Sequence, residues 1–416
     1  MKPKTDLQHL LSLPVIVAAL GYFVDIYDLQ LFAIVRIPSL KSLGLDKDAI
    51  DTVGTSIINI QMIGLLLGGI LWGTLGDKKG RLSVLFGSIL MYSIANILCG
   101  FIPSITFMDQ IDAYKLLRFI AGVGLAGELG AGITLVSEIL PTHLRAKGTS
   151  LVAGVGLFGG VVANFTVKLS GDWTIAYFIG GAMGILLLFM RVGLIESGIY
   201  TNVNHQKGVV KGNFLAFFTN KTRLIKYLKC ICIGLPTWYF LGILIYMSNK
   251  FGEAFGIQEA VEPGMAIMYS YIGISAGDIF SGFLSHSLQS RKKAILIMMG
   301  MAMIGILYYL FGGLNSAQSV YTAAACIGFC TGFWAMFVTV AAEQFGTNLR
   351  ASAATTVPNM VRGAVVIMNL IMGLLLPYMS LIMASACLGV LIFGLGFYAT
   401  STVTETHDRD LDFIEK

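Results

Sequence analysis

The chain has 416 residues, 56% of them hydrophobic and only 12% charged, with a mean hydropathy of +0.79. Soluble domains carry about 25% charged residues, so a water-soluble protein of this length could not hide so much apolar surface. Disorder, an ordinary soluble enzyme and a nucleic-acid binder are excluded, because the formal charge of +5 is scattered through short loops rather than gathered on one face. The 49 glycines suit helices that pack closely or bend inside a bilayer. This is the composition of a polytopic, all-α membrane protein.

A helix needs about 20 residues to cross the hydrocarbon core. Twelve such stretches are predicted, over 12–36, 53–75, 83–103, 114–140, 147–168, 174–194, 228–249, 265–288, 294–313, 319–342, 353–376 and 378–400. The first lies in an apolar run too long for a cleavable signal peptide, and it contains Asp25 and Asp28. Lys and Arg divide 20 to 6 between the two sets of loops, with Arg118 and Arg362 inside spans. The positive-inside rule then puts both termini in the cytoplasm. Short loops and the absence of a targeting peptide suggest a bacterial inner membrane. The six cysteines all fall in apolar stretches and read as buried small hydrophobes, so no metal site is expected.

The longest interior loop separates two halves. The division is an N-terminal six-helix bundle (1–195), a cytoplasmic linker (196–227) with room for a short amphipathic helix, a C-terminal bundle (228–400) and a cytoplasmic tail (401–416). The halves repeat. Glu138, Thr142, Leu144, Arg145 and Ala146, closing span four, recur 205 residues later as Glu343, Thr347, Leu349, Arg350 and Ala351, closing span ten. Gly73 and Leu75 after span two recur, 209 residues on, as Gly282 and Leu284 after span eight. Two parallel copies of a six-helix unit are implied.

These residues resemble the major facilitator superfamily. The run Gly73, Leu75, Gly76, Asp77, Lys78, Lys79, Gly80, Arg81 is similar to its loop-2/3 signature, and Leu117, Arg118, Phe119, Gly122 and Gly124 to its span-four signature. Glu138 with Arg145 and Glu343 with Arg350 resemble the branch of sugar porters, metabolite–proton symporters and organic-ion transporters, and Gly127-Glu128-Leu129 points most to the metabolite–proton symporters. The resemblance implies twelve transmembrane helices in two pseudo-symmetric bundles around a midplane site. The Gly-Pro pair of the family's drug–proton antiporters is missing from span five, and His286 stands where the repeat predicts a counterpart of Asp77.

Ionisable residues at mid-bilayer cost about 2.5–3.5 kcal/mol each on insertion scales, so each calls for a reason. Asp25 and Asp28 share one face of span one, and two carboxylates so close cannot easily both ionise. One is expected to hold a proton near neutral pH. Glu128 falls near mid-membrane in span four, with Arg118 about 15 Å further toward the outer side. The resemblance links Arg118 to proton transfer; a guanidinium that never deprotonates would act on neighbouring carboxylates. Asp25, Asp28, Glu128 and Arg118 are thus the candidate proton-coupling residues, and a structural ion pair is the competing role for each.

In the second half Asp278 and Arg362 are charged at depth and are candidates to bind the substrate. Arg362 suits a substrate carboxylate; an Asp278–Arg362 pair joining spans eight and eleven is the alternative. Tyr27, Trp238, Tyr239 and Trp334 are candidates to line a midplane cavity, Trp238 above all because Pro236 should break span seven. Asn359, one turn before Arg362, completes the substrate set. Asp77, Lys78, Arg81, Glu138, Arg145, Glu343 and Arg350 read as cytoplasmic gating charges.

The expected function is proton-coupled uptake of a small polar solute, such as an amino acid or small carboxylate, by alternating access. The expected protein is a monomer in the lipid bilayer with no cofactor beyond the proton gradient. No nucleotide-binding signature occurs, which argues against a primary pump. Proton-antiport efflux of an organic metabolite or siderophore-like compound is the runner-up; a non-transporting nutrient sensor and a membrane-embedded enzyme follow.

Overall fold

The computed structural model describes residues 6–79, 81–128, 130, 132, 136, 139–141, 144–196, 214–346 and 349–407; the side chains of 76–79, 81–83, 145–147, 150, 193–196 and 351 lie outside that description. Among the described residues nine helices are long and apolar enough to cross a membrane. Val84–Gly100 is a shorter apolar helix, and Gln110–Leu125 opens span four. Span eight, Pro263–Leu288, has the length but not the grease: Ser270, Ser275, Ser281, Ser285 and Asp278 dilute it.

The spans run longer than hydropathy alone suggests, because amphipathic turns continue each helix beyond its apolar centre. Span one covers Leu13–Ser42 and span two Lys47–Lys79. Residues that bond to exposed amides begin several of them. Asp109 accepts from the Ile111 and Asp112 amides at span four, Ser316 forms a capping box at span ten, and Ser380 accepts from Met383 at span twelve.

Among the described residues several spans are irregular, and the helix that opens span four ends at Leu125. Span five breaks at Phe158 into Arg145–Leu157 and Gly159–Ser170. Span ten breaks at Gly332–Phe333 into Ala317–Thr331 and Trp334–Glu343. Span seven does not break at Pro236, as expected from the proline. Its helix, Lys221–Tyr239, runs through Pro236, whose carbonyl accepts from the Phe240 amide, and then loosens into a π-helix over Phe240–Ile245. The proline leaves one bond unmade, and the chain absorbs this by widening its turn rather than by stopping.

Two arginines counted as loop charges are in fact buried. Arg36 lies inside span one, 1% exposed, and donates to Asn249 Oδ1 at 3.0 Å. Arg191 lies inside span six, Trp173–Glu196, 4% exposed.

The two halves meet at both ends of the bundle. Span two packs along span eleven (Arg350–Leu375), and span five along span eight. On the face away from the chain ends, Lys47–Glu253 (2.8 Å), Lys168–Glu262 (3.0 Å) and Lys250–Asp51 (3.3 Å) bridge the halves. Deeper, on the side toward the face that carries the chain ends, Asn359 Nδ2 donates across to the Ala126 carbonyl at 2.9 Å. His286 is in the last turn of span eight, exposed and helical.

That same face is stitched within the second half by the segment after span twelve. Glu405 accepts from the Ser290 hydroxyl and from the Arg291 and Lys292 amides at the start of span nine. Partial burial pushes its carboxyl up, but these hydrogen bonds and one from the His407 amide outweigh it and hold the group below the ordinary glutamate range. A carboxyl depressed in the fold adds stability above its unfolded value, and that stability is lost as pH falls through the folded one. Glu405→Gln should therefore cost about 1 kcal/mol near neutral pH, the ordinary worth of a helix cap. Thermal unfolding in detergent should show the wild-type advantage vanishing as the pH is lowered below about 4.

Candidate functional site

The centre of the protein holds an unusual concentration of buried charge. Asp25, Asp28, Arg118, Glu128, Asp278 and Arg362 are all buried. The fold sorts them into three clusters and one helix cap.

The first cluster lies between the halves. Arg362 on span eleven faces Asp25 on span one, with Nη2 and Oδ2 3.8 Å apart. Neither Asp25 carboxylate oxygen has a hydrogen-bond partner among the described residues, nor does Arg362 Nε. Two indoles flank the guanidinium, Trp238 at 5.9 Å and Trp334 at 6.0 Å from ring centroid to Cζ, and the rings meet edge to face at 6.3 Å. Such placement holds a cation by its attraction to the ring faces. Asn359 Oδ1 accepts from Arg362 Nη1 at 3.4 Å. Arg362, Trp238, Trp334 and Asn359, all candidates from the sequence, therefore stand together.

The Asp278–Arg362 pair, the alternative role for both residues, does not form. Asp278 turns to span ten and accepts from the Ala335 amide at 3.1 Å. The two tyrosines expected in a cavity are structural. Tyr27 donates to the Ala176 carbonyl at 2.9 Å within the first half, and Tyr239 to the Ser385 carbonyl at 2.6 Å within the second. Span one turns Tyr22 to the site instead. It lies three residues before Asp25 and so on the same helix face, and its buried hydroxyl is unpartnered among the described residues.

Just beyond, toward the face away from the chain ends, Gln30 ties span one to the second half. Its amide nitrogen donates to Tyr271 Oη at 2.7 Å, and its oxygen accepts from Tyr246 Oη at 2.9 Å. Sequence reasoning passed over Gln30, a polar residue within the apolar run of span one. A neutral amide carries none of the cost that draws attention to a buried charge.

The second cluster belongs wholly to the first half. Arg118 donates to the Asp28 backbone carbonyl at 3.0 Å, to Asn96 Oδ1 at 2.9 Å and to Gln61 Oε1 at 3.3 Å. The Tyr177 ring lies 5.6 Å from its guanidinium. The carboxylate of Asp28 and the amide nitrogen of Asn96 are buried there with no hydrogen-bond partner among the described residues. Asp25 and Asp28, three residues apart, are thus divided between two guanidinium groups rather than facing one another.

The third cluster is a two-pronged ion pair. Arg191 Nη1 donates to Glu128 Oε2 at 3.1 Å and Nη2 to Oε1, with both side chains buried. Span one passes so close that a methyl on Gly21 would come within 2.1 Å of Glu128 Oε1. Any larger residue there would have to push the ion pair aside. Arg191 was hidden from sequence reasoning by its place near the charged end of span six.

Of the gating residues, Glu138 lies outside the described residues, as do the side chains of Asp77, Lys78, Arg81 and Arg145. Glu343 pairs with Arg291 at the start of span nine, within its own half. Arg350 opens span eleven.

A family profile described as Major Facilitator Superfamily matches residues 18–367. A putative metabolite transport protein of Haemophilus influenzae is 27% identical over 361 residues, covering 83% of this chain and 84% of that one. The niacin transporter NiaP of Acinetobacter baylyi is 26% identical over 373 residues, covering 81% of each. Among solved structures, the proton:xylose symporter XylE bound to 6-bromo-6-deoxy-D-glucose superposes with a TM-score of 0.69 over 98% of both chains at 17% identity, a likeness of fold. Twelve helices in two six-helix bundles, a buried arginine and aspartate facing each other between them and a match over most of the length lead to one conclusion: the chain belongs to the Major Facilitator Superfamily and is a membrane transporter.

Proposed function

We propose that the protein takes up a small organic carboxylate together with protons by alternating access. The observation that carries this reading is Arg362: a buried guanidinium between two indoles, opposed across the halves by a carboxylate 3.8 Å away that makes no hydrogen bond among the described residues. Well-made charge-assisted bonds from a guanidinium run about 2.7–2.9 Å, so Asp25 holds Arg362 loosely. A substrate carboxylate and Asp25 compete for one cation. A proton on Asp25 removes the competitor and leaves Arg362 to the substrate, so the two bind together. With both in place the buried charges balance, and rocking of one half against the other costs less than with either alone. Asp28 beside Arg118 is a second carboxylate that can take a proton on the same path. The indoles favour a substrate with a flat apolar part, and the similarity to a niacin transporter supports a ring-bearing carboxylate over a sugar.

The test is uptake into proteoliposomes with an imposed inward proton gradient. Labelled nicotinate and pools of other carboxylates, amino acids, sugars and nucleosides serve as substrates. Carboxylates should accumulate. Asp25→Asn should abolish gradient-driven accumulation while leaving exchange of internal for external substrate, because a permanent neutral group mimics the protonated state. Accumulation of sugars or nucleosides instead, or gradient-stimulated release from preloaded vesicles, would sink the reading; the latter would establish export.

A further inference from the structure

Asp278 is a buried carboxylate that the coupling scheme does not use, and its surroundings differ from those of Asp25 and Asp28. The segment Trp334–Glu343 restarts span ten after the break, and a helix start leaves its first amides without acceptors. Phe333, just before it, supplies no side-chain cap and is fully buried. Asp278 reaches across from span eight and meets the need, its two oxygens 3.1 and 3.4 Å from the Ala335 amide nitrogen. The approach depends on glycine at the break: a methyl on Gly332 would come within 2.6 Å of the Gly277 Cα and the Ile274 carbonyl. The residue that begins the capped segment is Trp334, one of the two indoles beside Arg362.

We propose that Asp278 is a positioning residue for the substrate site, acting as the cap, supplied by another helix, that fixes where span ten restarts and hence where the Trp334 ring stands beside Arg362. The carboxylate works through its reach and its acceptor atoms, and neither its charge nor a proton on it takes part in transport. Asparagine keeps an acceptor at the same distance and caps almost as well as aspartate. Glutamate keeps the charge and adds a methylene, which pushes the restarting helix away. The proposal rests on the carboxylate-uptake reading only for its transport arm.

Asp278→Asn and Asp278→Glu separate the two roles. Two measurements apply, the kinetics of nicotinate uptake and the emission of Trp334 in purified, detergent-solubilised protein, isolated by comparing each variant with the same variant carrying Trp334→Phe. Asp278→Asn should keep the wild-type emission maximum and a KM within about twofold of wild type, whereas Asp278→Glu should shift the emission and raise KM about tenfold with a maximal rate within about threefold. The reverse order, with Asp278→Glu active and Asp278→Asn inactive or unchanged in emission but uncoupled from protons, would overturn the proposal and make Asp278 a charge- or proton-bearing group. Unchanged emission in Asp278→Glu would overturn it as well. The emission arm needs neither substrate nor gradient, so it decides the positioning role even if nicotinate proves not to be carried.

Discussion

Replacing Arg362 with alanine is expected to lower nicotinate uptake at least about 30-fold, since truncating one partner of a buried charge pair, here the guanidinium that meets the substrate carboxylate, costs about 2–5 kcal/mol. Lysine should rescue little. An ammonium cannot present two parallel donors to a carboxylate, and it does not lie flat between indoles as a guanidinium does. One competing explanation would give the same single-variant loss: Arg362 as nothing more than the structural partner of Asp25. The double variant Asp25→Asn/Arg362→Ala distinguishes the two. If the pair only holds the halves together, neutralising both sides removes the stranded charge, and uptake should recover alongside stability. If Arg362 binds the substrate, the double variant should be as stable as wild type in detergent and still fail to bind, which equilibrium binding of labelled nicotinate would measure.

The second large effect is expected at Glu128 and Arg191. Both side chains are buried, and the two-pronged contact satisfies each group with the other. Removing one partner strands a charge, so Glu128→Leu and Arg191→Met should each destabilise the protein by about 3–5 kcal/mol. Combining them should restore most of that loss, because replacing a buried ion pair by apolar residues is often neutral or better. Thermal unfolding of the three variants in detergent measures the stability term. Proton-driven uptake by the double variant then decides the role. Uptake with wild-type gradient dependence would mark the pair as a fixed strut of the first half; stable but uncoupled protein would return Glu128 to the proton path.

How much of this could be read from residues alone depended on what kind of signal each feature leaves. Spans and the duplicated half leave long-range patterns, apolar stretches and a recurring Glu–Thr–Leu–Arg–Ala run, and these survive local irregularity. Depth along a helix was also legible, and Arg362, Trp238, Trp334 and Asn359, picked by depth, lie close together. Rotation about the helix was harder. Tyr27 and Tyr22 are both near Asp25, but only Tyr22 shares its face, and Tyr27 turns to the Ala176 carbonyl in its own half. Tyr239 follows Trp238 directly and so points elsewhere, to Ser385. Partner choice was the least legible. Asp278 found a helix start rather than Arg362 because the break at Gly332–Phe333 puts unpaired amides within its reach, and no motif announced that break. The charge count assigned Arg191 to the cytoplasmic loop because an arginine near the end of a span looks the same whether it reaches water or turns inward to Glu128.

The widened turn in span seven has a mechanical consequence. Within Phe240–Ile245 the chain bonds five residues back, and the Tyr246 amide still reaches the Leu241 carbonyl, at 3.0 Å. A π segment holds one more residue than α-helical bonding would place along the same path. Converting it to ordinary helix would pass that surplus residue along the chain, turning everything beyond by about 100°. Tyr246 would swing off Gln30, and of the two tyrosines gripping that side chain only Tyr271 would remain. Span seven thus carries its own slack, a ratchet tooth of one residue, at the point where the two halves are latched by uncharged groups.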